Sequence, residues 1–283
     1  MKLVRFMNGK TPHLGKIEGD QIVDLTANGY GTSMRSLLDS LPETRAEIET
    51  LTGPVLALSD AQLAAPIDDP QKFLALGMNY QEHADHAAAA GIKVPNTQIW
   101  FNKQVSCING PYAPIEMPLM SDRLDYEAEL AIVIGKKCRH VKPEDVRSVI
   151  AGYMVSNDVS VRDWQLRSPT FTLGKSFDTH GPIGPWICTD DEVNDPQNLA
   201  IKAYVNGDVR QDSNTSDMIY SIADQISYIS QAFTLMPGDV LLTGTPAGVG
   251  IESDRYLKVG DVVRVEIEGL GYIENTVAPE PAL

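Results

Sequence analysis

The sequence predicts a β-rich α+β fold, with a small α+β module at residues 1–68 ahead of a larger domain at residues 69–283. Three observations lead there. Short runs of branched and apolar residues recur between Asn-Gly, Gly-Asp and proline signals. Helical periodicity is confined to a few stretches. The segment Pro66-Ile67-Asp68-Asp69-Pro70 has the composition of a linker between the two parts.

Taken in order, residues 3–6, 14–17 and 21–25 read as strands parted by the turns Asn8-Gly9 and Gly19-Asp20, and helical patterns follow at residues 34–41 and 43–51. Beyond the linker, Phe73-Leu74-Ala75-Leu76-Gly77 reads as a buried strand. An Ala-rich helix over residues 81–90 follows, closed by Gly91. Strands then dominate, at residues 124–134, 152–156, 201–205 paired with 209–211 across Asn206-Gly207, 240–243 and 262–267. Two helices interrupt them, a short one at 143–149 and a longer one at 217–234 whose stripe is Ile219, Ile222, Ile226 and Ile229. No internal repeat or low-complexity tract is present.

Composition narrows the function classes. The chain has 283 residues and a net charge of −15, which argues against a nucleic-acid binder, since that role needs a basic stripe. Residues 1–68 hold 6 of the 23 Lys+Arg and 9 of the 38 Asp+Glu, so the acidity belongs mainly to the larger part. Cys107, Cys138 and Cys188 share no metal-binding or disulfide spacing and fit free thiols in a reducing compartment. The N-terminus lacks a hydrophobic signal core and no apolar run approaches membrane-spanning length, so the expectation is a soluble, cytoplasmic protein.

Chemistry concentrates in the run 124–134. Glu127 and Glu129 lie two apart in it, so in a strand both point to one face, roughly 7 Å apart at Cα. Their neighbours Ala131 and Val133 on that face, and Ala128, Leu130 and Ile132 opposite, are apolar, so the strand should be covered on both sides. Two poorly solvated carboxylates would share a proton unless a cation neutralised them. Asp158 adds a third acid at the end of the strand-like run 151–157. Without a Cys or His cluster nearby, an all-oxygen set suits Mg2+, Mn2+ or Ca2+ rather than zinc. Arg162 and Gln165 follow on a helical turn at i, i+3 spacing and would face the same way.

Several motifs fail when counted. Gly174-Lys175-Ser176 would need a glycine at 169 to close a phosphate loop, and that residue is Pro169. GxSxG and HExxH are absent. Gly244-Thr245-Pro246-Ala247-Gly248-Val249-Gly250 lacks the dinucleotide order and reads as a tight loop lining a site.

Six blocks in order resemble the fumarylacetoacetate hydrolase family over roughly residues 66–277. They are Gly77-Met78-Asn79-Tyr80 with His83; Phe101-Asn102-Lys103; Asp125-Tyr126-Glu127-Ala128-Glu129-Leu130; Asn157-Asp158-Val159-Ser160-Val161-Arg162-Asp163 with Gln165; Gly174-Lys175-Ser176-Phe177-Asp178-Thr179; and Thr243 through Gly250. The resemblance implies a mixed β-sandwich roll, a homodimer, and a divalent metal (Mg2+ or Mn2+, with Ca2+ as a structural substitute) held by Glu127, Glu129 and Asp158. It also implies that Arg162, Gln165, Lys175 and Thr245 contact a small anionic 2-oxo acid, with Lys103 close by. Within the family the chain looks most like the bacterial subgroup of acylpyruvate and 2,4-diketo-3-deoxy-sugar-acid hydrolases.

For such an enzyme the expected reaction is hydrolysis of the C–C bond of a 2,4-diketo acid to pyruvate and a carboxylic acid. Water attacks the 4-carbonyl and the electrons pass into a pyruvate enolate. His83 is the candidate base, because an imidazole titrates near neutral pH, and Lys175 offsets charge beside the acids. The pattern departs at His86, where hydrolases of the family carry a Glu that orients the catalytic His. Glu82 or Asp85 is the expected substitute partner, and His86 is expected to enter the pH profile. Oxaloacetate decarboxylation, which needs no activated water, and isomerisation or hydration of 2-oxo-dienoates are the enzymatic alternatives. A metal-stabilised binding protein without turnover is the alternative outside catalysis. Residues 79–91 are expected to form a lid over bound substrate.

Overall fold

The computed structural model describes residues 1–91 and 93–282. Its frame is a 12-stranded sheet. Along its main path the order is Val55–Ala57, Gln21–Asp24, Thr11–Glu18, Lys2–Asn8, Gly181–Thr189, Ile150–Asn157, Ala128–Ile134, Val240–Leu242, Phe73–Gly77 and Ile99–Asn102. A five-stranded sheet (Asp208–Asn214, Ala200–Val205, Val262–Ile267, Gly271–Pro279, Ile115–Met117) accompanies it. The β-rich α+β class read from the sequence is what the chain adopts. The sheet crosses from residues 1–68 into the larger part, because Lys2 and Leu3 pair antiparallel with Cys188 and Ile187.

The strand Ala128–Ile134 is buried along its whole length. Ala128, Leu130, Ile132 and Ile134 join one apolar cluster with Ile201, Ala203, Val263 and Val265 of the smaller sheet. Ala131 and Val133 join another, with Leu37, Leu38 and Leu41 of the N-terminal helix. Period-two alternation thus feeds two cores, which is why both sets of residues are apolar.

The structure corrects several expected elements. The run 124–134 is two strands, Leu124–Asp125 and Ala128–Ile134. The chain changes partners between them: Leu124–Asp125 pairs with Ser160–Val161, while the Glu127 and Ala128 N–H groups donate to the side chains of Asn157 and Gln211. Residues 34–41 and 43–51 form one helix, Met34–Thr50, with Pro42 inside it. Its buried face of Met34, Leu37, Leu38, Leu41 and Ile48 spans the proline and outweighs the single backbone hydrogen bond that a proline removes. The helix expected over 217–234 is Ile222–Ala232, opened by a capping box between Ser221 and Asp224, which leaves Ile219 outside it and exposed. Residues 143–149 form a 3-10 helix. The hairpin across Asn206-Gly207 forms as expected; both residues have positive φ, 54° and 84°, as a tight two-residue turn requires.

Candidate active site

The carboxylates meet because of the register of two strands. Ala128 pairs with Asn157 and Glu129 with Ser156, and the ladder runs one step further, where the Asp158 N–H donates to the Glu127 carbonyl at 2.9 Å. Asp158 therefore stands opposite Glu127, and Glu129 follows on the same face two residues along. All three are buried, and a ligand oxygen from each lies within 4.8 Å of the others.

Cations gather around them. Lys175 Nζ donates to Glu127 Oε2 at 2.7 Å and to Asp158 Oδ2 at 2.8 Å, and Lys103 Nζ to Asp158 Oδ1 at 2.6 Å. Arg162 Nη1 lies 2.6 Å from Glu127 Oε1, and its Nε donates to Asp125 Oδ2 at 2.7 Å. Asp125 is itself fixed by the N–H groups of Gly250 and Ile251. Two glycines permit this crowding. A Cβ on Gly174 would fall 2.1 Å from the Gln165 backbone nitrogen, so only glycine lets the chain pass there and deliver Lys175. Gly244, at φ +97°, comes so close to Asn79 that a Cβ would lie 2.7 Å from that residue's Cβ, and its N–H donates to Glu129 Oε2 at 2.7 Å.

The electrostatics separate the acids. Burial pushes Glu127 up, but Lys175 and Arg162 overcome it and hold the carboxyl down at about 2. Glu129 is pushed well above the usual carboxylate range, first by burial and then by the charges of Asp158 and Glu127, with Lys175 and the Gly244 N–H opposing. Among the described residues Glu129 has no ion pair. That unmet charge, in an all-oxygen set, fits a divalent cation. Glu127, Glu129 and Asp158 are the residues that would hold it. Arg162 Nη2 and Asn157 Nδ2 are out of water with no partner among the described residues, donors suited to an incoming oxygen anion.

The remaining expected residues divide. Gln165 reaches the cluster through Arg162, whose Nη1 donates to its side-chain oxygen at 2.9 Å. Thr245 follows Gly244, but its hydroxyl accepts a hydrogen bond from Gln211 and makes none with the carboxylates. His83 and His86 meet at a residue the sequence reading passed over. Glu252 Oε1 lies 2.6 Å from His83 Nδ1, Glu252 Oε2 lies 3.1 Å from His86 Nδ1, and Oε2 also accepts the Gly248 N–H at 2.8 Å. The carboxylate partner of His83 is thus Glu252 rather than Glu82 or Asp85; Asp85 takes a hydrogen bond from Gln81 on its own helix. Burial pushes Glu252 up, yet the hydrogen bonds from His83, Gly248 and His86 hold it below the usual range. The available signal was the glycine-rich loop, which ends two residues before Glu252.

Comparison with known proteins points the same way. The family model for the C-terminal part of fumarylacetoacetate hydrolase matches residues 72–278, and an Rv2993c-like N-terminal model matches residues 1–66. A mitochondrial oxaloacetate tautomerase from Xenopus laevis is 43% identical over 98% of this chain and 90% of its own. Maleylpyruvate hydrolase from Sphingobium sp. SYK-6, solved with manganese(II) and pyruvate, superposes with a TM-score of 0.84 at 35% identity, covering 99% of this chain and all of that one. A fumarylacetoacetate hydrolase from Exiguobacterium antarcticum gives a TM-score of 0.88 at 35% identity, again over 99% of this chain and all of that one.

Proposed function

The chain belongs to the fumarylacetoacetate hydrolase family, and from that premise we propose that it transfers a proton at C3 of a small 2-oxo diacid, interconverting the keto and enol forms of oxaloacetate. The observation that carries this reading is the 2.6 Å contact of Glu252 with His83 Nδ1. An imidazole with Nδ1–H on a carboxylate presents Nε2 as its free base, and the carboxylate stabilises the imidazolium formed when Nε2 takes a proton from C3. The Lys175 ammonium and the free Nη2 of Arg162 would receive the substrate's carboxylate and the oxygen on which charge develops. A divalent cation at Glu127, Glu129 and Asp158 would supply Lewis-acid polarisation of the 2-oxo group. His83 then delivers that proton to the former 2-oxo oxygen, so the C3–H bond is exchanged for an O–H bond and the enol forms without water; the reverse order gives ketonisation. The oxaloacetate tautomerase from Xenopus laevis, similar over nearly the whole chain, supports this assignment.

Hydrolysis of a 2,4-diketo acid is the second reading. Glu252 supplies the carboxylate that the absence of an acid at position 86 had put in question, so His83 is equally equipped to take a proton from water. The maleylpyruvate hydrolase similarity favours it. In both readings the helix Gln81–Ala89 that carries the two histidines is the segment that would close over substrate.

The deciding experiment assays oxaloacetate ketonisation, carbon dioxide release from oxaloacetate, and cleavage of an acylpyruvate panel side by side with Mg2+ and Mn2+. Ketonisation faster than cleavage, and lost in His83→Ala, is expected. Cleavage of acylpyruvates without acceleration of ketonisation would overturn the first reading in favour of the second. We infer a twofold dimer of the larger part as the working assembly, with exposed Leu119, Met120, Leu166 and Leu173 available to an interface. Light scattering at micromolar concentration that returned the 30.9 kDa monomer would overturn that inference. No helix among the described residues is long and apolar enough to cross a membrane.

A further inference from the structure

A second cleft, apart from the carboxylate centre, is bordered by residues 254–259. It shares no lining residue with that centre: Asp125 holds Arg162 at the carboxylates, while the neighbouring Arg123, together with Arg255, lines a space of about 670 Å³. That volume matches a small-metabolite pocket. Its charge is unlike that of the rest of the chain. Arg123, Arg210, Arg255 and Lys258 border one opening in a protein of net charge −15.

The three carboxylates at the opening, Asp122, Asp254 and Asp261, pair closely with only one of these cations, Arg123. Asp261 accepts the Lys258 backbone N–H and the Asn206 side-chain amide. Asp122, 98% exposed, lies 3.7 Å from Arg123, which pairs with Asp254 at 2.9 Å and lies over the Tyr256 ring. Among the described residues neither Arg255 nor Lys258 forms an ion pair. Arg210 reaches only the exposed Asp208, at 4.0 Å. The Arg210 Nε is out of water and has no hydrogen-bond partner among the described residues. A buried donor left without an acceptor costs about 1–3 kcal/mol, and an oxygen anion in the cleft would remove that cost. Two guanidinium forks beside an ammonium suit a group carrying several anionic oxygens. Leu257 and Val259 supply apolar wall for a short carbon skeleton.

We propose that this cleft is a binding site for a small organic polyanion, a polycarboxylate or a sugar phosphate, distinct from the substrate site. The test is calorimetric titration of the full chain, with Mn2+ present, by tricarballylate and separately by fructose 1,6-bisphosphate, which tells the two sources of anionic oxygen apart. Saturable binding of one or both at one site per chain is expected. The double variant Arg210→Gln/Arg255→Gln should weaken it at least tenfold with an unchanged far-ultraviolet spectrum, while Lys175→Met at the carboxylate centre should leave it within twofold. The proposal is overturned if neither probe binds saturably, if Lys175→Met removes the binding, or if the folded double variant binds as tightly as the parent. Should the double variant fail to fold, the single variant Lys258→Gln, at an exposed position, must weaken binding at least threefold for the proposal to stand.

Discussion

Glu127 and Asp158 face each other across adjoining strand ends deep in the protein, with Lys175 clamped between them. His83, His86 and Glu252 meet instead near the surface, where a short helix touches a turn 169 residues away from His83 along the chain, and their side chains are 16%, 49% and 19% exposed. The first group is held by sheet register, a long-range constraint that twelve strands reinforce. The second is held by three hydrogen bonds to a single carboxylate. The difference teaches that the two groups are secured differently: the carboxylates are locked by a sheet ladder, whereas His83, the base proposed above, sits on a short helix held at this point by one carboxylate.

Substitutions can break or sharpen this contrast. The largest effect is expected from Glu129→Gln, which keeps the shape and, like the protonated acid that burial favours, is neutral. Metal-dependent turnover should vanish while the melting temperature stays near that of the parent; calorimetric titration with Mn2+ should show the site lost. Retained metal affinity would separate the carboxylate cluster from catalysis. Lys175→Met comes next, lowering kcat/KM by about 10²- to 10³-fold if it stabilises developing charge. Lys142→Met, at an exposed position, should stay within about twofold, because surface substitutions are close to neutral. Equal small effects of the two would place Lys175 outside the reaction.

The histidine clamp should respond more gently. Glu252→Gln keeps the turn but removes the negative charge that supports the imidazolium of His83, so kcat should fall by about 10²-fold with a changed pH profile. His86→Gln, which keeps a donor for Glu252, should cost only about threefold, the loss of roughly half of one modest hydrogen bond. If His86→Gln proved as damaging as Glu252→Gln, His86 would be a reacting group rather than a support for the carboxylate.

An effect on stability rather than turnover comes from an imidazole treated in the opposite way. His180 is fully buried, its Nε2–H donates to the Glu116 carbonyl at 2.8 Å, and burial lowers its pKa to about 4. Its folded pKa lies below the unfolded value, so the unfolded chain binds the proton first as pH falls. Stability is therefore complete above the unfolded value of about 6.5 and drains away between there and about 4, by about 1.4 kcal/mol on reaching pH 5.5. Denaturant titrations at pH 7.5 and 5.5 should show that loss shrink in His180→Gln. An unchanged pH difference would mean that His180 is not the group responsible.

How much of this could be read in the sequence follows from the same contrast. Glu127, Glu129 and Asp158 were legible because strand periodicity carries face information over two residues and an acid at a strand end needs no partner to be noticed. The break at Tyr126 was not legible, since it depends on Asn157 and Gln211 capturing two backbone N–H groups from distant strands. The helix over residues 34–50 was split in the reading because Pro42 is a strong local stop, and only the buried face on both sides of it shows that packing wins. Glu252 escaped for a different reason. Its role exists only once the helix with His83 lies against the turn after Gly250, and nothing in the spacing of the two residues encodes that approach.

The pairing of Lys2 and Leu3 with Ile187 and Cys188 reaches beyond architecture. Leu3, Leu14 and Leu25 belong to the same apolar cluster as Ala131, Met154, Ile183 and Ile187, so the first segment acts as the cover of a sheet that also carries the carboxylates. A shortened protein starting at residue 69 would present the bare flank of Gly181–Thr189 and a strip of unclad aliphatic side chains to its neighbours, the surface that drives strand-to-strand self-association. The leading module is, in colloidal terms, the coat that keeps the catalytic part dispersed.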